Sequence, residues 1–105
     1  LNDPQFIEAS RALADDALFL GGSNDDQRID YIANRLLSRP LAESEKPIVK
    51  KSLADLTTWY KEHTEDAQAV ITVGQSKPRH EDAVTLASWT MLTNQLMNLD
   101  EVLSK

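Results

Sequence analysis

The chain has 105 residues, a net charge of −6 and no cysteine, and 41% of its residues are apolar and 27% charged. This length and composition predict one ordered globular domain spanning residues 1–105. The lack of cysteine excludes disulfides, thiolate metal sites and covalent haem attachment within the chain, and the negative charge argues against a nucleic-acid partner, which needs clustered Lys and Arg.

The first helix is predicted between an N-terminal cap and a pair of glycines. Asp3 is the expected cap, and Pro4 suits the first helical position, where its missing N–H costs nothing. Residues 21–22 are both glycine, and we expect one of them to take a left-handed conformation that ends the helix. Apolar and small residues recur between these signals at three- and four-residue spacing: Phe6, Ile7, Ser10, Leu13, Ala14, Ala17 and Leu18.

A second helix is predicted after a short acidic and polar segment. Asn24 is the expected cap, with Gln27 three residues later, a spacing typical of a capping box. The helix should end near Ser38, because the residue before Pro40 avoids helical conformation. Its apolar stripe contains Ile29, Ile32, Ala33, Leu36 and Leu37.

The third helix is predicted to begin at Ser44, which places Pro47 in its first turn. Its core side contains Val49, Leu53, Leu56 and Tyr60. Thr64 is the expected cap of a short fourth helix that ends at Gly74. Residues 75–80 are polar and are predicted to form a loop.

The longest predicted helix covers residues 81–105 and is apolar around much of its circumference. A helix of this kind is usually buried among other helices. The sequence therefore predicts an all-α fold, a compact bundle of about five helices with a long, largely buried C-terminal helix. Its broad stripe contains Leu86, Trp89, Leu92, Leu96, Leu99 and Leu103.

No catalytic constellation is visible in the sequence. His63 and His80 lack metal-ligand spacing, and adjacent acidic residues on a helix point about 100° apart, so they do not converge as an acid and base pair. No metal or cofactor is therefore predicted in this chain. No apolar run is long enough to span a membrane, so we expect no membrane insertion.

Two groups of residues are candidates for a functional surface. Trp59 and Tyr60 could pack at the end of a helix, or could form a platform for a sugar or a protein partner. Asn98, Asp100 and Glu101 could satisfy backbone groups of other helices or line a cleft. The sequence favours packing for the first group and a structural role for the second.

Several separated segments resemble a family, the C-terminal part of a planctomycete-type domain of unknown function in proteins that also carry cytochrome c modules. This chain has Leu41 and Ala42 where the family usually has a second proline and a Thr or Ser cap. This difference affects the residue at which the third helix is predicted to begin. The matching segments are Leu-Asn-Asp-Pro-Gln-Phe-Ile-Glu-Ala (1–9), Ala-Leu-Ala (12–14), Gln-Arg-Ile (27–29), Leu-Leu-Ser-Arg-Pro (36–40), Glu45, Val-Gly (73–74), Ala-Ser-Trp-Thr (87–90) and Leu-Met-Asn-Leu-Asp-Glu (96–101).

The resemblance implies a C-terminal fragment of a longer extracytoplasmic, periplasmic protein with haem elsewhere in that parent. A non-catalytic structural or assembly module is the leading interpretation, with the upstream part of the same parent as partner. One alternative is part of an enzyme of envelope or polysaccharide metabolism. In it, a site completed by upstream sequence is lined by Asn98, Asp100 and Glu101, with Arg39 or Trp89. The other is a bundle that binds carbohydrate or protein through Trp59 and Tyr60.

Overall fold

The computed structural model describes the backbone of residues 4–73 and 82–103 and the side chains of residues 5–73 and 82–98. Within these ranges the chain is helical and contains no strand, which confirms the all-α prediction. Asp3, Gly74 and the predicted loop at residues 75–80 lie outside the described residues. The five helices are α1 (Pro4–Leu20), α2 (Asp25–Leu37), α3 (Lys46–Glu62), α4 (Thr64–Ile71) and α5 (Ala83–Leu103).

Helix α5 lies at the centre of the bundle and packs against each of the other four helices. Leu86, Trp89, Leu92 and Leu96 are all buried, and Trp89 is only 3% exposed. These are the members of the predicted stripe whose side chains are described. The prediction of a long, largely buried C-terminal helix is therefore confirmed.

Polar residues on α5 are buried together with this apolar stripe. Ser88, Thr90 and Thr93 each donate a side-chain hydrogen bond to the carbonyl oxygen four residues earlier in the same helix, at 2.7, 2.7 and 2.8 Å. Each hydroxyl therefore enters the core already hydrogen-bonded, without a partner from another helix. This local pairing is what allows α5 to be enclosed on nearly all sides.

Helix α1 joins distant parts of the chain. The hydroxyl of Ser10 lies 2.7 Å from the carbonyl oxygen of Phe6 and 3.1 Å from the Met97 sulfur on α5. Arg11 is only 1% exposed, and its Nε donates to the carbonyl oxygen of Val73, just beyond α4, at 3.3 Å. A buried guanidinium requires such partners, so Arg11 fixes the end of α4 against α1.

The turn between α1 and α2 agrees with the sequence prediction. Gly22 adopts a φ of 119°, a conformation that favours glycine. The side chain of Asn24 accepts a hydrogen bond from the Gln27 N–H at 2.8 Å, and the Gln27 side chain accepts one from the Ser23 N–H at 2.9 Å. This reciprocal pair resembles a capping box. The difference is that the Gln27 side chain accepts from the residue before the cap and not from the cap itself.

Helix α2 ends as predicted, but α3 begins two residues later than predicted. Ser38 follows α2 in a left-handed conformation with a φ of 60°. The predicted start of α3 at Ser44 is wrong, because the backbone N–H groups of Glu45 and Lys46 both donate to the Ala42 carbonyl at 2.9 and 3.2 Å. Those bonds close a separate turn, so the helix itself begins at Lys46.

The predicted cap of α4 also needs correction. Thr64 is the first residue of α4, and His63 occupies the cap position without a side-chain capping bond. The His63 carbonyl accepts from the N–H groups of Asp66 and Ala67 at 3.0 and 3.1 Å. Since the carbonyl at 63 already begins the helical pattern, the cap lies one residue before the threonine.

We expect Trp89→Ala to destabilise the fold by about 3–5 kcal/mol, because it removes a large buried side chain from the helix on which all others pack. Trp59→Ala is the matched control, since Trp59 is 45% exposed, and its loss should be clearly smaller. Urea denaturation followed by far-ultraviolet circular dichroism measures both. Equal losses in the two variants would contradict the central position of Trp89.

Candidate functional site

The Asn98, Asp100 and Glu101 candidates all lie near the end of α5. The side chain of Asn98 is partly buried. The side chains of Asp100 and Glu101 lie outside the described residues. Their role, structural or functional, stays a prediction.

Arg39 pairs with Glu45 across the loop between α2 and α3, and we name this contact the Arg39–Glu45 clamp. Its guanidinium donates to both carboxylate oxygens of Glu45, at 2.9 and 3.3 Å, and to the Pro40 carbonyl at 3.1 Å. The Glu45 carboxylate also accepts from the Ala42 N–H at 2.7 Å. The hydrogen bond from Arg39, followed by the one from Ala42, holds the pKa of Glu45 below its usual value. The same pair, through the hydrogen bond to Glu45 first, raises the pKa of Arg39.

Trp59 and Tyr60 occupy different environments near the end of α3. Tyr60 is buried, and burial, followed by the charge of Asp66, raises the pKa of its phenol. The Trp59 ring is edge-on to Tyr60 and stacks on the ring of His63, with centroids 3.9 Å apart and planes 12° apart. His63 Nδ1 lies 2.7 Å from the Trp59 carbonyl oxygen and must be the protonated nitrogen, because a carbonyl only accepts. The exposed aromatic surface at this corner therefore belongs to Trp59 and His63.

No metal or membrane-spanning feature emerges from the described part of the chain. Among the described side chains, those of residues 5–73 and 82–98, no cluster of three or more His, Asp or Glu residues could hold a metal ion. No helix in the same ranges is long and apolar enough to cross a membrane. His80 lies outside these ranges.

A polar cleft of about 480 Å³ opens between α2 and α3, with α5 at its base. Arg28 of α2 lines it together with Thr58 and Lys61 of α3. We name it the α2/α3 cleft. Its complete lining is Asp25, Arg28, Lys50, Leu53, Ala54, Thr57, Thr58, Lys61, Thr85 and Trp89.

Several polar groups of the α2/α3 cleft already have intramolecular partners. The Thr57 hydroxyl donates to the Leu53 carbonyl at 2.8 Å, and the Thr85 hydroxyl donates to Asp82 at 2.6 Å. Lys50 pairs with Asp26 at 3.2 Å. The two hydroxyls have therefore used their only donors, and the charge of Lys50 is offset by that of Asp26.

Arg28, Lys61 and Thr58 differ from these groups. Their side chains make no hydrogen bond or ion pair with any other part of the described chain, and the Arg28 Nε atom is buried. Arg28 and Lys61 are therefore the cations of the cleft whose charge is not offset by an ion pair within the described chain. Sequence reasoning missed this site, since no motif links a residue on α2 to a face of α3. The only signal was the series Lys50, Ala54, Thr57 and Lys61 at helical spacing, which is polar except for Ala54.

Helix α1 carries apolar residues on its solvent side as well as on its core side. Phe6 was predicted to face the core, but it is 40% exposed, because Ile7, Ser10 and Ala14 define the buried face. Phe19 and Leu20 are 64% and 61% exposed. We name this surface the outer face of α1. Gln5 and Asp16 lie on the same side of the helix. Its apolar members are Phe6, Ala9, Ala12, Leu13, Phe19 and Leu20, all exposed except Leu13, which is partly buried.

The Arg39–Glu45 clamp predicts a pH-dependent stability. Because the folded state lowers the pKa of Glu45, its contribution is present above the ordinary glutamate pKa of about 4.3 and is lost as the pH falls through the lower folded value. Glu45→Gln should therefore destabilise the chain at neutral pH and have little effect in strong acid. Urea titrations at a series of pH values measure this, with Glu43→Gln, 94% exposed in the same turn, as the control. A Glu45→Gln effect that stayed constant with pH would contradict the clamp.

Comparison with known proteins leaves the chain without a matched relative. No family model, no curated protein and no solved structure matches it. The planctomycete-type family is therefore supported only by the sequence segments that resemble it. What that family implies about function belongs to the proposal that follows.

Proposed function

We propose that this chain is a non-catalytic assembly module of a larger extracytoplasmic, cytochrome-c-associated protein, and that it attaches to its parent through the outer face of α1. The family resemblance suggests the parent. The observation that carries the attachment is the apolar surface that α1 leaves exposed to solvent. Helices that are apolar on both sides are usually covered on both sides.

The exposed side chains could contribute substantially to binding. Full burial of a Leu or Phe side chain contributes roughly 1.5–3 kcal/mol, and Phe19 and Leu20 retain more than half of their surface in water. They lie next to each other at the end of α1, so one partner surface can cover both. Aromatic residues of this kind often dominate interface energies.

The shape and charge of this face suggest the chemistry of the partner. Ala9 and Ala12 are exposed and three residues apart on α1, so their small side chains let another backbone approach closely. Small exposed side chains beside larger apolar ones suit packing by a second helix. Because the chain carries a net charge of −6, we assign the partner as an amphipathic helix of the same parent polypeptide, with an apolar stripe and basic flanks.

Ala12→Arg should abolish association with the rest of the parent polypeptide. A long charged side chain at this small, exposed position blocks close helix approach without disturbing the core. The matched control is Ala69→Arg, which makes the same substitution at an exposed alanine of α4. Sedimentation velocity of the purified chain, mixed with the separately expressed remainder of the parent, measures the complex.

We expect wild type and Ala69→Arg to bind and Ala12→Arg to remain free, with all three melting at similar temperatures. Phe19→Asp provides a second disruption, with Ile48→Asp, at a 69% exposed residue of α3, as its control. Failure of the wild type to bind the remainder would overturn the proposal. So would a homodimer broken by Ala12→Arg, because the face would then bind a second copy.

A further inference from the structure

We propose that the α2/α3 cleft is a binding site for the phosphate group of a small organic molecule, held by Arg28, Lys61 and Thr58. This site is separate from the outer face of α1 and does not depend on the proposed assembly role.

Six of the eight basic side chains in the described ranges have an intramolecular partner. Acidic residues outnumber basic ones in this chain by 17 to 11, so partners are plentiful. The carboxylate partners are Glu45 for Arg39, Asp30 and Glu43 for Lys46, Asp26 for Lys50 and Asp55 for Lys51. Arg11 donates to a backbone carbonyl, and Arg35 lies 3.6 Å over the ring of Tyr31.

The two remaining cations of the described chain, Arg28 and Lys61, line the same cleft. They come from different helices, α2 and α3, so the tertiary fold brings them to one place. The Arg28 Nε is buried without a hydrogen-bond partner among the described residues. Arg28 as a whole is only partly buried and lines the cleft, so its other N–H groups are the ones available to a ligand.

The donors of the α2/α3 cleft match a phosphate group. Arginine presents a planar fork of N–H donors that suits phosphate, and lysine adds a compact positive charge. The unused hydroxyl of Thr58 supplies a neutral donor beside them. Together these groups suit an anion with two charges and three acceptor oxygens better than a carboxylate.

The rest of the lining indicates a small organic phosphate. Leu53 and Ala54 add apolar surface beside the donors, and Asp25 adds one carboxylate. The volume of about 480 Å³ falls within the range of small-molecule sites. A nucleic-acid partner does not fit the net charge of −6. The apolar surface should favour a phosphate ester over inorganic phosphate.

The site can be tested by nuclear magnetic resonance titration of the full chain with inorganic phosphate, phenyl phosphate and acetate at low ionic strength. The variants are Arg28→Gln and Lys61→Gln, and the matched control is Arg35→Gln. Arg35 lies two turns after Arg28 on α2 and is exposed. All three variants remove one positive charge, so a general electrostatic effect would be equal in each.

We expect saturable shifts around Arg28 and Lys61, with phenyl phosphate binding more tightly than inorganic phosphate and acetate most weakly. Arg28→Gln and Lys61→Gln should each raise the dissociation constant for phosphate about ten-fold, as expected for loss of a charge-assisted contact, while Arg35→Gln leaves it unchanged. If Arg28→Gln does not fold, the exposed Lys61→Gln variant still decides the matter. Equal weakening by Arg35→Gln, equal binding of acetate, or no saturable shift would each overturn the proposal.

Discussion

The structure depends on the enclosure of α5. A helix surrounded by four others is stabilised when the polar groups that it buries are hydrogen-bonded, because each unsatisfied one costs free energy that packing has to offset. Ser88, Thr90 and Thr93 meet this condition by bonding to carbonyls of their own helix. The apolar stripe that contains Trp89 supplies the surface on which the other helices pack. Without the local hydroxyl bonds, the same sequence would need one exposed side.

The sequence predicted those features of the fold that are encoded by neighbouring residues. The apolar stripe of α5 and the Asn24–Gln27 cap both appear within a few positions of the chain, and both are confirmed. The start of α3 was mispredicted because the carboxylate of Glu45 is bound by Arg39, six residues earlier. That contact stabilises a separate turn, and no local spacing rule anticipates it.

The candidate sites were harder to predict for the same physical reason. The α2/α3 cleft exists only because α2 and α3 pack on α5 so that Arg28 and Lys61 line it together. The outer face of α1 could not be separated from its core face, because Phe6 and Ile7 are both apolar and differ only in which side the bundle covers. Arg11 shows the opposite case, a charged residue that the fold buries. In each case the packing of the helices determines which side chains are buried or brought together. The composition of the chain does not reveal that packing.

The contact between Ser10 and Met97 has a consequence for how the chain folds. Their atoms meet across 87 residues of sequence, and Arg11 reaches Val73 across 62. Helical bundles usually fold quickly because most of their contacts are local. Here the pairing of α1 with α5 closes a loop of nearly the whole chain, and the entropy of that closure must be offset before the central helix is covered. The contacts among α3, α4 and α5 join parts of the chain that are closer in sequence, so closing them costs less entropy than pairing α1 with α5.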